Sequence, residues 1–198
     1  MKLSKILGVV AVAAMALMAF ASTASATTLE TKGVAVNAEE TIHATLEAGT
    51  SALLADTGGF FANTCTESTM FGHTEKDSTG DYTGPTVAVQ ITTLTFNKCK
   101  EEPVVVDTPG TLTITHITGT TNGTVRSIGA KVTSPSPFGA LTCTTAASPG
   151  TDVGTVTGVK EGSATMDINA VLNCGFFLPS AKWQGSYSIT TPNLGVTA

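Results

Sequence analysis

The chain has 198 residues, 15 of them acidic and 10 basic, for a formal net charge of −5, and only 13% are charged where about 25% is usual. An acidic, charge-poor chain lacks the basic face that nucleic acid or an anionic membrane would need in order to release its counterions, so neither is an expected partner. Leu, Glu, Lys and Arg are too sparse for amphipathic helices, while Thr, Ser, Gly and Val crowd the sequence, and β-branched side chains sit more easily on a pleated strand than on a helix.

The first element in chain order is a secretion signal. Lys2 and Lys5 make a positive start, Ile6 to Phe20 is an unbroken apolar run, and Ala24-Ser25-Ala26 supplies the small residues a signal peptidase reads. Cleavage is expected between Ala26 and Thr27, dividing the chain into a signal peptide, 1–26, and a single domain, 27–198. The apolar run is shorter than the roughly 20 residues that cross a bilayer, and no later stretch would span one. Loss of Lys2 and Lys5 leaves 8 basic against 15 acidic residues, a net charge of −7. The first cysteine is Cys65, so a lipid-modified leader is excluded. The destination is secretion or the cell surface, or the periplasm where the source has an outer membrane.

Strands follow. Val34 and Val36 with Ile42, Ala44 and Leu46 form an alternating segment that reads equally as strands of the domain or as a strand donated to another subunit. Val87, Val89 and Ile91 share one face, after which the apolar phase slips to Leu94 and Phe96, predicting a bulge near Thr92-Thr93. Leu112, Ile114 and His116 alternate with Thr111, Thr113 and Thr115. Asn122-Gly123 predicts a tight hairpin pairing Thr111 to Thr120 with Thr124 to Thr133. Ala164, Met166, Ile168 and Ala170 mark a further strand, and Trp183, Gly185, Tyr187 and Ile189 another. Turn signals at Thr57-Gly58-Gly59, Ser78-Thr79-Gly80-Asp81, Pro109-Gly110, Pro135-Ser136-Pro137 and Pro149-Gly150 punctuate them. The fold class is all-β, a single antiparallel β-sandwich or β-barrel of roughly nine to eleven strands.

Four cysteines, Cys65, Cys99, Cys143 and Cys174, would all be oxidised in an exported protein. Cys65 to Cys99 and Cys143 to Cys174 is the favoured pairing, because sequential segments neighbour one another in antiparallel folds. None lies in a Cys-x-x-Cys pair, and His43, His73 and His116 do not flank them at zinc-ligand spacing, so no metal or other cofactor is expected. No Ser sits in a Gly-x-Ser-x-Gly elbow, and catalysis is not expected. Asp77, Thr79 and Asp81 offer oxygens at alternate positions, but Tyr82 and Ala88 occupy the places where a calcium loop needs Gly and Glu. An acidic turn remains. Thr111, Thr113 and Thr115 form a hydroxyl grid without the fixed repeat of an ice-binding solenoid. Trp183 and Tyr187 could make a sugar platform, although the sole Trp of the chain fits a core position better.

Four segments, Ile117 to Thr124, Asp152 to Gly158, Ala164 to Val171, and Ser180 to Trp183 with Thr190-Thr191-Pro192, resemble a group of small exported Thr-rich proteins found mainly in actinobacteria. The resemblance covers most of residues 27–198 and implies location and an all-β fold; the group has no assigned activity. The chain ends in Asn193-Leu194-Gly195-Val196-Thr197-Ala198 where the group closes on Leu-Tyr-Val. A fainter similarity, in size and composition, is to the exported activators of alkane oxidation. Two functions are therefore expected in competition. One is a non-catalytic surface or extracellular module, structural or adhesive, with a cell-surface polymer as partner. The other is a soluble carrier of a small apolar ligand inside a barrel.

Overall fold

The structure, a computed structural model, describes residues 26–198 apart from 138, 160–161, 176–178 and 192–193. The signal run Ile6 to Phe20 and Ala24 lie outside the described residues. Fifteen strands and no helix are present among those described. Twelve of them close a barrel of eight antiparallel staves that follow one another around the wall in sequence order, and the other three cover one end.

The first stave is interrupted: β3 (Thr41–Leu46) and β4 (Ala52–Asp56) lie end to end between the same two neighbours. Two long strands, β5 (Ala62–Glu75) and β6 (Val87–Cys99), form the second and third staves. Three more interrupted staves follow, β7 (Val105–Thr108) with β8 (Thr111–His116), β9 (Gly123–Ile128) with β10 (Lys131–Ser136), and β11 (Gly139–Thr144) with β12 (Thr151–Thr157). Long strands β13 (Ala164–Asn173) and β14 (Ser180–Ile189) complete the circle, with β14 returning to β3 and β4. Eight staves and three end strands make eleven strand positions. They are carried by fifteen segments because four staves are broken.

The breaks fall at one level. Gly110, between β7 and β8, has φ 78° and Gly129, after β9, has φ 67°, backbone conformations that side chains with a Cβ rarely adopt. Beside them Thr145 N donates to Ala130 O at 2.9 Å and Gly129 N to Ala146 O at 3.2 Å. On β6 the ladder skips Thr92, since Phe71 faces Thr93 and Gly72 faces Ile91, which places the predicted bulge. Bulges and glycine bends let barrel staves curve. Here they divide the wall into two tiers.

The lower tier is complete: β3, β5, β6, β8, β9, β12, β13 and β14 are hydrogen-bonded neighbours all the way round. Its end is covered by β1 (Thr28–Thr31), paired with β2 (Val34–Ala35) and with the C-terminal strand β15 (Leu194–Thr197). Leu29, Leu194 and Val196 are the buried side chains of that cover, and Val196 N donates to Thr121 O at 3.1 Å. Val36 and Ala44 are core residues while Val34 is exposed, so the N-terminal alternating segment is used within this domain.

One predicted hairpin is drawn differently. Asn122-Gly123 is not the turn: Gly123 already pairs with His116 as the first residue of β9. The connection is the longer 117–122 loop, with Gly119 at φ 79° and Ile117 N bonded to Asn122 O at 2.9 Å. An added Cβ at Gly123 would meet Ile114 Cγ2 at 2.8 Å; close packing of β8 on β9 explains this glycine.

Candidate functional site

The upper tier holds an apolar chamber. Alternation along β14 and β6 turns Trp183, Leu94 and Phe96 inward, Leu54 of β4 and Leu172 of β13 join them, and Val104 enters from the β6–β7 connection. These side chains border a cavity of about 40 Å³, which at 10–15 Å³ per water centre would take roughly three waters or an apolar group of similar bulk. A second cavity of about 20 Å³ lies in the capped lower tier, against Leu29 and Leu194.

On β14, Trp183 borders the first and Ile189 the second, and between these two positions stands Tyr187, whose hydroxyl meets Ser68 Oγ at 3.0 Å; both Tyr187 and Ser68 are buried. Burial pushes the Tyr187 phenol up to about 12, opposed by that hydrogen bond and by the neighbouring Trp183 indole. The bond ties β14 to β5 at the level where β3 gives way to β4. It holds the wall where the backbone ladder is interrupted.

Trp183 is 8% exposed and meets Phe96 edge to face, with ring centroids 6.2 Å apart. It is a lining residue of the interior, and no outward sugar platform exists on this strand. Its indole Nε1 is closed to solvent and makes no hydrogen bond of ordinary geometry. Gly185 faces the Tyr187 ring, whose Cε2 would lie 3.2 Å from an added Cβ.

Apart from the Trp183 indole N–H, the polar side chains of the described lining, Asn63, Ser134 and Thr145, have protein partners. Asn63 Nδ2 donates to Glu101 O at 2.8 Å and Ser134 Oγ at 2.9 Å, and Asn63 Oδ1 accepts from Glu101 N at 3.0 Å. Ser134 Oγ donates to Pro135 O at 3.2 Å. Thr145 Oγ1 accepts from Ala130 N at 2.8 Å. Among the described residues no ionisable side chain borders the cavity.

Both disulfides brace this tier. Cys65 and Cys99 are cross-strand partners of β5 and β6, with an S–S distance of 2.06 Å. Cys143 and Cys174, at 1.97 Å, join β11 to the end of β13, where the backbone ladder contributes only Thr144 with Asn173. Cys65 and Cys143 themselves line the chamber. Two disulfides fit an oxidising compartment.

The other residues singled out in the sequence are scattered. His43 stacks on Phe71 with centroids 4.0 Å apart, and its Nδ1 meets Thr190 Oγ1 at 2.8 Å. His116 Nε2 bonds Thr120 O at 2.8 Å, and His73 pairs with Thr41 on the wall. Asp77 Oδ1 accepts Thr79 Oγ1 at 2.7 Å, Thr79 N at 2.8 Å and Asp81 N at 3.0 Å, closing an acidic turn between β5 and β6. The Thr79 hydroxyl and then the Asp81 amide hold that carboxyl below its usual range. Thr111, Thr113 and Thr115 are half-buried to exposed strand positions. Of the predicted cleavage residues, Ala24 lies outside the described residues, Ala26 is exposed and Thr27 is buried. Thr27 exchanges backbone bonds with Gly84, and its Oγ1 donates to Pro85 O and accepts from His116 N, each at 3.0 Å.

Sequence reasoning did not single out Asn63, Ser68 or Ser134. Their partners lie 71, 119 and 71 positions away, so only a contact between distant segments could have marked them.

No protein-family model, curated protein or solved structure matches this chain.

Proposed function

We propose that the protein is an exported, non-catalytic β-barrel that binds a small apolar ligand, a single ring or the end of an alkyl chain, in its upper chamber. The observation that carries this reading is a cavity at the end away from β1 and β15, bordered by Trp183, Phe96, Leu94 and Leu172, in which the Asn63, Ser134 and Thr145 side chains already have protein partners. An eight-stave barrel is just wide enough to be filled by side chains or to hold one small ligand. Concave, mostly apolar pockets are the usual form of a small-molecule site. The structural or adhesive alternative has less support, because the large exposed apolar residues among those described, Val34, Phe60, Phe71, Val105 and Val171, are carried one each on different elements.

The sole Trp is the reporter. Bromobenzene, an apolar heavy-atom quencher, should quench Trp183 emission saturably, whereas 4-bromobenzoate should need at least tenfold higher concentration, since its charge would be buried without a partner. Equal, non-saturating quenching by both would refute the binding reading and restore the structural one.

A further inference from the structure

Among the described residues the upper tier has a gap in its hydrogen-bonded wall. β6 pairs with β8 as far as Gln90 with Thr111, and Ile91 N reaches Gly110 O at 3.1 Å. Beyond that point no ladder joins β6 to β7 among the described residues; β7 pairs only with β10. The result is a lateral seam between Leu94–Cys99 on one side and Val105–Thr108 on the other. Phe96 and Val104 flank it, and with Val132 on β10 they are half-buried lining residues of the chamber. Leu53 and Leu54, on β4, are the remaining half-buried ones.

Across this seam the chain substitutes a side chain for the missing ladder. Asn63, 1% exposed and facing inward from β5, binds both the N–H and the C=O of Glu101, as a paired strand residue would, and also holds Ser134 on β10. Lys100 N donates to Thr64 O at 2.9 Å. The β6–β7 connection is thereby fastened to β5 by one buried amide and one backbone bond, whereas the other joints of the upper tier have backbone ladder pairs, reduced between β11 and β13 to one pair beside the Cys143–Cys174 disulfide. Local opening follows the weakest set of bonds.

We propose that the chamber is entered laterally, between β6 and β7, and that Asn63 is the latch, a positioning residue whose release from Glu101 lets the connection swing away from Phe96 and Val104. This rests on the binding reading above and adds the route. Since the latch bonds only protein groups, it is made in both the empty and the filled state. A latch sets the rate of entry and exit together and leaves affinity nearly unchanged.

The test is stopped-flow quenching of Trp183 by bromobenzene in the full domain, comparing the native protein with Asn63→Ala and with the milder Ser134→Ala, which removes one latch bond and serves if the first variant does not fold. Exchange of the Glu101 amide shows independently that the latch is loosened. The expected result is a tenfold or greater rise in both association and dissociation rates, in step with faster Glu101 exchange. Faster exchange with unchanged rates, or a change in only one of the two rates, overturns the latch while leaving the binding reading intact. Absence of saturable quenching in every protein overturns the binding reading, and the latch with it.

Discussion

At the residue scale, the buried hydrogen bond between Tyr187 and Ser68 does what backbone bonds do elsewhere in the barrel, joining β14 to β5 where β3 ends. It also makes stability depend on pH in a defined direction. Below pH 10 both the folded and the unfolded states keep the phenolic proton. Between pH 10 and about 12 the unfolded chain loses it while the folded chain retains it, so folding stability falls as pH rises through that window. A rise of about two units corresponds to roughly 2 to 3 kcal/mol. Tyr187→Phe should flatten this decline in denaturant titrations at pH 9 to 12, at a cost near neutral pH of about 1 to 2 kcal/mol from the unpaired Ser68 hydroxyl. An unchanged alkaline slope would show that the phenol is not the responsible group.

At the scale of elements, much of the β pattern was legible. The inward sets Val87, Val89, Ile91 and Ala164, Met166, Ile168, Ala170 are buried as their alternation required, and the slip at Thr92 marked a real bulge. Alternation works because a strand has a period of two and one face of this wall meets the core. The broken staves were less legible. Thr124 to Thr133 reads as one strand but is cut at Gly129-Ala130, because the bend answers to curvature of the closed wall and to neighbours on other staves. The upper tier depends more on cross-links than the lower one, since β11 meets β13 through a single ladder pair beside Cys143–Cys174. Replacing both of these cysteines by Ser should cost about 4 kcal/mol for a sequence separation of 31. Hydrogen exchange should then quicken in β7, β10 and β11 before it does in β8, β9 and β12. Uniform acceleration over all staves would mean that the two tiers unfold as one.

At the scale of the whole molecule, the two ends of the described chain are joined. β1 and β15 pair over the lower mouth, and Thr27, next to the expected cleavage point, is fixed by Gly84, Pro85 and His116. Cleavage between Ala26 and Thr27 would leave the new α-amino group against Gly84 O, and a peptidase that reads an extended segment must act before β1 docks. The purified mature protein is expected to begin at Thr27, as intact mass would show; a mass beginning at Met1 would contradict it. The sequence by itself determined the all-β class and the faces of the long strands, because composition and alternation are local properties of neighbouring residues, and from small-residue spacing it predicts the export signal. It also favoured the cysteine pairing, through the rule that sequential segments lie side by side. The tertiary structure alone decided that the strands close into a barrel, that four staves break at one level, and that Asn63 reaches Glu101 and Ser134 across the upper end. Closure, a cavity and a side chain replacing a ladder arise from contacts between residues many tens of positions apart, and no local period records them.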